Sequence, residues 1–194
     1  MPVVVKLGGS LAEAQTLSSW LATLLAHGAG HAVVVPGGGV FADAVRRAQR
    51  RLGFSDRAAH QMAILAMEQY ARLLLDLAPA LAPGATIVAL RAKLETGKVA
   101  LWLPRAMLAE ESEVSASWDV TSDSLAAWLA RRLRAERLIL VKSAPAPQGA
   151  DASALAALGL VDAAFPQSAA AAECPLACCG PGEERRLAAL LALR

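Results

Sequence analysis

The sequence is poor in aromatic residues, which occupy 4% of its 194 positions. That scarcity leaves no row of rings on which bases could stack. A formal net charge of only +2 leaves no basic footprint either, so nucleic acid is not expected as a partner. Long apolar runs are missing too: none reaches the ~18 residues of a membrane span. The start "MPVVVKLGGS" has no basic region ahead of an apolar core, unlike a secretory signal. The expectation is a cytoplasmic protein with no membrane partner. Cysteine is confined to Cys174, Cys178 and Cys179 in "ECPLACCGPG". An odd number without a secretory signal argues against a disulfide framework, and a metal site there would lack a nearby histidine. These cysteines read as small apolar residues on a buried strand. Charged residues make up 19% of the chain against 56% hydrophobic, thin cover for a monomer's surface, which points to a homo-oligomer.

What is present is an alternation of short β-branched runs with longer helical patterns. It predicts one domain over 1–194, a three-layer α/β/α sandwich with a mainly parallel central sheet. Strands are expected at "VVVKL" (3–7), "HAVVVP" (31–36), "ATIVAL" (85–90), "VALWL" (99–103), "RLILVKS" (137–143) and, more weakly, "PLACC" (175–179). Leu17, Trp20, Leu21, Leu24 and Leu25 mark one helix face, stopped by Gly28 and Gly30. A second helix follows Gly39, and its Arg46, Arg47, Arg50 and Arg51 read as a solvated face. Ser55 caps a long helix that ends at Pro79 and is apolar around much of its girth. "SAPAPQGADAS" reads as a linker, and "GPGEERRLAALLALR" as a final amphipathic helix.

Two strand-to-glycine-to-helix units open the chain, "VVVKLGGSLAEA" and "VVVPGGGVFADAV". Such glycines expose backbone N–H groups at the positive end of a helix, where phosphate binds. They also serve tight turns and close packing, so each loop alone leaves both readings open. Neither is GxxxxGK[ST] or GxGxxG, which speaks against the ordinary nucleotide loop and against a dinucleotide-binding protein. Lys6 lies inside the first strand end, and Lys142 in the same kind of place after "LILV". A lysine on a buried strand is costly unless an anion meets it, and both would reach one rim of a parallel sheet, where ligands bind in such folds. In "WDVTSDSLAAWLARRL" Thr121 or Ser122 caps a helix and Asp123 enters its first turn. There the acid either supports the helix dipole or holds the two lysines.

Taken in order, "VVKLGGSL", "VVVPGGGVFAD", "TSDSLAAWLA" and "LILVKS" resemble the amino acid kinase family over roughly residues 3–143. The resemblance implies ATP and Mg²⁺ as cofactors. Lys6, Asp123 and Lys142 would be the catalytic residues, Gly8, Gly9 and Ser10 the ATP-phosphate loop, and Gly37, Gly38 and Gly39 the loop for the phosphoryl acceptor. It divides the chain into an acceptor half (1–115) and a nucleotide half (116–194). The second is reduced, because the glycine-rich, lysine-bearing segment that closes over ATP in the family is missing. "WDVTSDSLAAWLA" and "AHQMAILAMEQYA" look most like the branch that converts an aminomethyl-furan phosphate to its diphosphate in making methanofuran-type cofactors. For such a small-molecule acceptor, His60 would touch the phosphate, and Trp118 with Asp119 the ammonium. A non-catalytic nucleotide or oxyanion binding protein of the same fold is the alternative.

Overall fold

The computed structural model describes residues 1–109 and 111–193. Among them six strands form one parallel sheet: β1 (Val3–Leu7), β2 (Ala32–Pro36), β3 (Ala82–Gly84), β4 (Ala100–Trp102), β5 (Arg137–Val141) and β6 (Leu176–Cys179). Their order is β3-β4-β2-β1-β5-β6, with every adjacent pair parallel. β1 is central: the chain leaves it for β2 on one side and later returns to β5 on the other. The carboxyl end of β1 is therefore a topological switch point, and loops there part to leave a crevice.

The strands are buried on both faces because their β-branched side chains alternate between two cores. Val5, Leu7, Val34, Ile139 and Val141 pack toward α1 (Leu17–His27), α3 (Asp56–Leu77) and α9 (Glu184–Ala192), against Trp20, Leu24, Leu74 and Leu187. Val4, Val33, Val35, Leu138 and Leu140 face α4 (Ile87–Glu95), α6 (Ser122–Leu133) and α8 (Phe165–Ala172). These layers are the expected sandwich. The remaining helices are α2 (Gly39–Leu52), α5 (Arg105–Leu108) and α7 (Ala152–Ala157).

The long helix starts as its cap implies, with the Ser55 hydroxyl accepting from Ala58 N–H. It serves both cores, through Ile64 and Met67 on one side and Tyr70 and Leu74 on the other, while Met62 and Leu65 stay exposed. One strand expectation fails. "ATIVAL" is the start of α4, because the Thr86 hydroxyl caps it by accepting from Ala89 N–H at 3.1 Å, and Leu90 and Leu94 follow at helical spacing into the core. The β-branched Val88 is left 78% exposed. The edge strand lies just upstream at Ala82–Gly84, where Pro83 is tolerated because an edge strand can spare one donor. Cys178 and Cys179 are buried on β6, and burial pushes the Cys179 thiol up to about 12. Among the described residues no helix is long and apolar enough to cross a membrane.

Candidate active site

Period-two alternation decides where the two lysines go. Val4 and Lys6 leave β1 toward α6, and Leu138, Leu140 and then Lys142 leave β5 toward the same side. Asp123, in the first turn of α6, meets both. Lys6 Nζ lies 2.8 Å from Asp123 Oδ1, and Lys142 Nζ donates to both carboxylate oxygens at 2.7 Å. The three residues are 4%, 5% and 9% exposed in the order Lys6, Asp123, Lys142, so the group holds two buried cations around one anion. Burial alone would raise the Asp123 carboxyl; the adjacent ammonium groups of Lys6 and Lys142 outweigh it and hold it below its usual range. Burial, then repulsion from Lys6, brings Lys142 down to about 8 despite Asp123. A buried excess of one positive charge, with no matching anion in the triad, favours an anionic ligand.

Asp123 is free to do this because another residue caps α6. Thr121 sits at the N-cap, but its own side chain accepts no capping bond. Asp162, from the chain beyond β5, accepts from Thr121 N–H at 2.9 Å, Thr121 Oγ1 at 2.7 Å, Ser124 N–H at 3.1 Å and the Ser124 hydroxyl. No sequence spacing announces a cap supplied from 41 residues away.

The two glycine loops adjoin because β1 and β2 pair with Leu7 opposite Pro36. What approaches their backbones most closely is each other. A Cβ on Gly9 would lie 2.1 Å from Gly39 N, one on Gly37 2.3 Å from Gly9 N, and one on Gly39 2.6 Å from Gly9 O. Side chains on either loop would drive the pair apart. Gly8 N–H is already given to Val141 O at 2.8 Å and Gly37 N–H to Leu7 O at 2.9 Å. In α2 the first amide satisfied within the helix is Ala42 N–H, on Gly38 O, leaving those ahead of it without an intrahelical acceptor.

A cleft of about 260 Å³ opens beside the loops. Gly9, Ser10, Gly38 and Gly39 line one end; Ala42, Ile64, Met67 and Leu125 make it apolar; Asp43, Arg46, Asp56, His60 and Trp118 bring polar groups. The cleft thus gathers Gly9, Ser10, Gly38, Gly39, His60 and Trp118 from the residues expected to bind ligands. Gly8, Gly37 and Asp119 are not among its lining residues, nor is the lysine–aspartate group. Burial holds the His60 imidazole below its ordinary pKa, hence neutral at pH 7. Arg46 leaves the solvated arginine face of α2: its guanidinium stacks 4.3 Å from the Trp118 ring centroid and pairs with Asp43 at 3.2 Å. Across the crevice mouth the Ser10 and Ser143 hydroxyls share a hydrogen bond at 2.6 Å.

This is a switch-point crevice with two facing glycine turns and a caged pair of lysines, and residues 1–146 match the amino acid kinase family. The chain belongs to that family. Over 138 residues it is 30% identical to the (5-(aminomethyl)furan-3-yl)methyl phosphate kinase of Methanocaldococcus jannaschii. The match covers 71% of this chain and 63% of that protein's length. In fold this family member resembles the uridylate kinase of Archaeoglobus fulgidus, with a TM-score of 0.72 at 18% identity, over 100% of this chain and 97% of the other. It also resembles the isopentenyl phosphate kinase of T. acidophilum, with a TM-score of 0.60 at 13% identity, over 98% and 95% of the two chains.

Proposed function

We propose that this amino acid kinase family member transfers a phosphoryl group from ATP to a small phosphomonoester, forming a diphosphate, and that its acceptor is (5-(aminomethyl)furan-3-yl)methyl phosphate. The observation that carries the reading is the buried Lys6–Asp123–Lys142 group, one positive charge in excess, next to a glycine turn whose Gly9 lines the cleft. The relative from Methanocaldococcus jannaschii, named for that acceptor, supports the choice of substrate.

The chemistry asks little of the protein beyond placement. A phosphomonoester has its second pKa near ~6, so its attacking oxygen is mostly deprotonated at pH 7 and needs no general base. That suits a cleft whose one histidine, His60, is neutral and half-buried. The work that remains is holding acceptor and donor in line and offsetting charge on the moving phosphoryl group. In this reading the start of α2 at Gly38 and Gly39 grips the acceptor phosphate, and His60, one turn beyond Asp56 on α3, lines the cleft farther from those glycines. Gly9 and Ser10 meet the donor phosphates, and Lys6 and Lys142 draw off developing negative charge while Asp123 keeps both in register. Bound ATP supplies the γ-phosphoryl group; the excess cation and the short turn at Gly9–Glu13 suit a polyphosphate. Among the described residues no three His, Cys, Asp or Glu side chains gather to hold a metal, and Asp123 is committed to the lysines. Mg²⁺ would be held largely by the phosphates of bound ATP, where it would offset their charge.

The test is release of ADP with this acceptor, with UMP and with isopentenyl phosphate. Turnover with the first, reduced at least ~100-fold in Lys6→Ala while the fold persists, supports the reading. Protection of the protein by ATP without ADP release from any of the three would replace it with a non-catalytic nucleotide-binding role.

A further inference from the structure

The acceptor proposed above carries an ammonium group as well as a phosphate. The structure separates the two residues that sequence alone pairs for it. Trp118 lines the cleft, but Asp119 is exposed and outside the lining. One face of the Trp118 ring is already covered by the Arg46 guanidinium. An ammonium ion entering the cleft needs a different carboxylate.

Two carboxylates line the cleft, Asp43 and Asp56, and charge and distance distinguish them. Asp43 is paired with Arg46 at 3.2 Å. Asp56 has no cationic partner among the described residues; its Oδ1 accepts from the neutral Gln49 amide at 2.8 Å. Both donors of that amide are used, since Gln49 Nε2 also donates to Phe54 O at 3.1 Å, and its Oε1 accepts from Trp118 Nε1–H at 2.5 Å. Gln49 therefore fixes the Asp56 carboxylate and the Trp118 indole relative to each other, and leaves Asp56 Oδ2 for a ligand.

The distance agrees. Gln49, which touches Asp56, lies ten residues beyond Gly39 on α2, about 15 Å along the axis. A phosphate and an aminomethyl group on opposite sides of a five-membered ring are about 8 Å apart, phosphorus to nitrogen, by summed bond lengths. A hydrogen bond of about 3 Å at each end brings the span to about 14 Å. Asp43, four residues past Gly39 and about 6 Å along the axis, is too near the glycines for that end. The apolar stretch between the two ends, with Ala42, Ile64 and Met67, suits a ring.

We propose that Asp56, oriented by Gln49, is the residue that selects an acceptor bearing a primary ammonium group, by pairing with it at the end of the cleft away from the glycines. The inference rests on the acceptor reading given above. Its test is calorimetric binding of two acceptors without nucleotide: (5-(aminomethyl)furan-3-yl)methyl phosphate, and the same molecule with methyl in place of aminomethyl. The wild-type protein should bind the amine at least tenfold more tightly, and Asp56→Asn should remove that preference while leaving the methyl analogue's affinity within about twofold. Asp56 is exposed and Ser55 supplies the helix cap, so the variant should fold. Equal binding of both acceptors by the wild type, or a preference that survives in Asp56→Asn, overturns the inference. ADP release is measured separately: a protein that selects the amine through Asp56 but transfers no phosphoryl group refutes the kinase reading and leaves the selectivity standing.

Discussion

Replacing Asp123 by Asn keeps the shape of the side chain and removes the one anion between two ammonium groups that are less than a tenth exposed. Breaking a buried ion pair from one side costs about 3 to 5 kcal/mol, because the charge left behind is neither solvated nor paired. For a chain of this size that corresponds to a fall in Tm of roughly 6 to 20 °C. The deficit should depend on pH in a particular way. Lys142 has its folded pKa lowered from 10.5 to about 8. Folding therefore carries a penalty below pH 8, which is relieved as pH rises through about 8 to 10.5, where the unfolded chain holds the proton and the native one does not. Without Asp123 the Lys142 pKa falls further and this relief begins at lower pH, so variant and wild type converge on the alkaline side. They converge in acid as well. Asp123, whose pKa is lowered from 3.8, contributes stability present above that value and lost as pH falls below it. Urea unfolding followed by circular dichroism at pH 7 and 9.5 measures both effects. A deficit under about 1 kcal/mol at pH 7, or one unchanged at pH 9.5, would refute the caged-charge account. Converting all three residues to apolar ones of similar size should restore most of the stability while abolishing activity.

Lys142 must be charged to assist transfer, so kcat/KM of the wild type should fall above about pH 8, and Lys142→Arg, which stays protonated, should move that limb upward; a limb that stays at pH 8 in the arginine variant assigns it to another group. Gly9→Ala puts a methyl 2.1 Å from Gly39 N, whereas Gly53→Ala meets open space and only a left-handed φ of 69°. Thermal denaturation should rank the first as the more damaging, at about 1 to 3 kcal/mol or more against about 1 to 2, and acceptor affinity should suffer only in the first. Asp162→Ala removes all four bonds to the start of α6 and should cost about 2 to 4 kcal/mol in urea unfolding. Because Thr121 and Ser122 line the cleft, it should raise acceptor KM as well. The homo-oligomer expected from the low charge content is checked by light scattering. Leu65→Asp, on the exposed side of α3 beside Met62, should shift a multimer toward monomer, and a monomer mass for the wild type removes the expectation.

Much of the site was legible in sequence because its parts sit at fixed places on regular elements. A lysine among valines on a strand, two residues before a glycine, announces a buried cation at a sheet's carboxyl rim, and Lys6 is there. Asp123 was visible as a first-turn acid, but only the structure shows that the capping bonds go to Asp162 and the Asp123 carboxylate to the two lysines. The adjacent pair Trp118 and Asp119 shows the converse. Neighbours in sequence need not face the same way in a loop, and the carboxylate tied to Trp118 through Gln49 belongs to another helix. The run "ATIVAL" misled because β-branched residues favour strands only weakly, and Thr86 as a cap, with leucines four apart, overrides them.

The sequence by itself determined which residues could exist only inside, and in what alternation: β-branched strands with two faces to cover, lysines that need an anion, glycines where no side chain fits. It could not say what fills the space those glycines leave. Only the tertiary structure decided that the two glycine turns lie against each other, that one aspartate serves two lysines from different strands, and that Asp162 and Gln49 orient groups far from them in the chain. Local pattern is set by periods of two and 3.6 residues along the chain, whereas these contacts depend on which strands become neighbours, and pairing across a sheet carries no local signature.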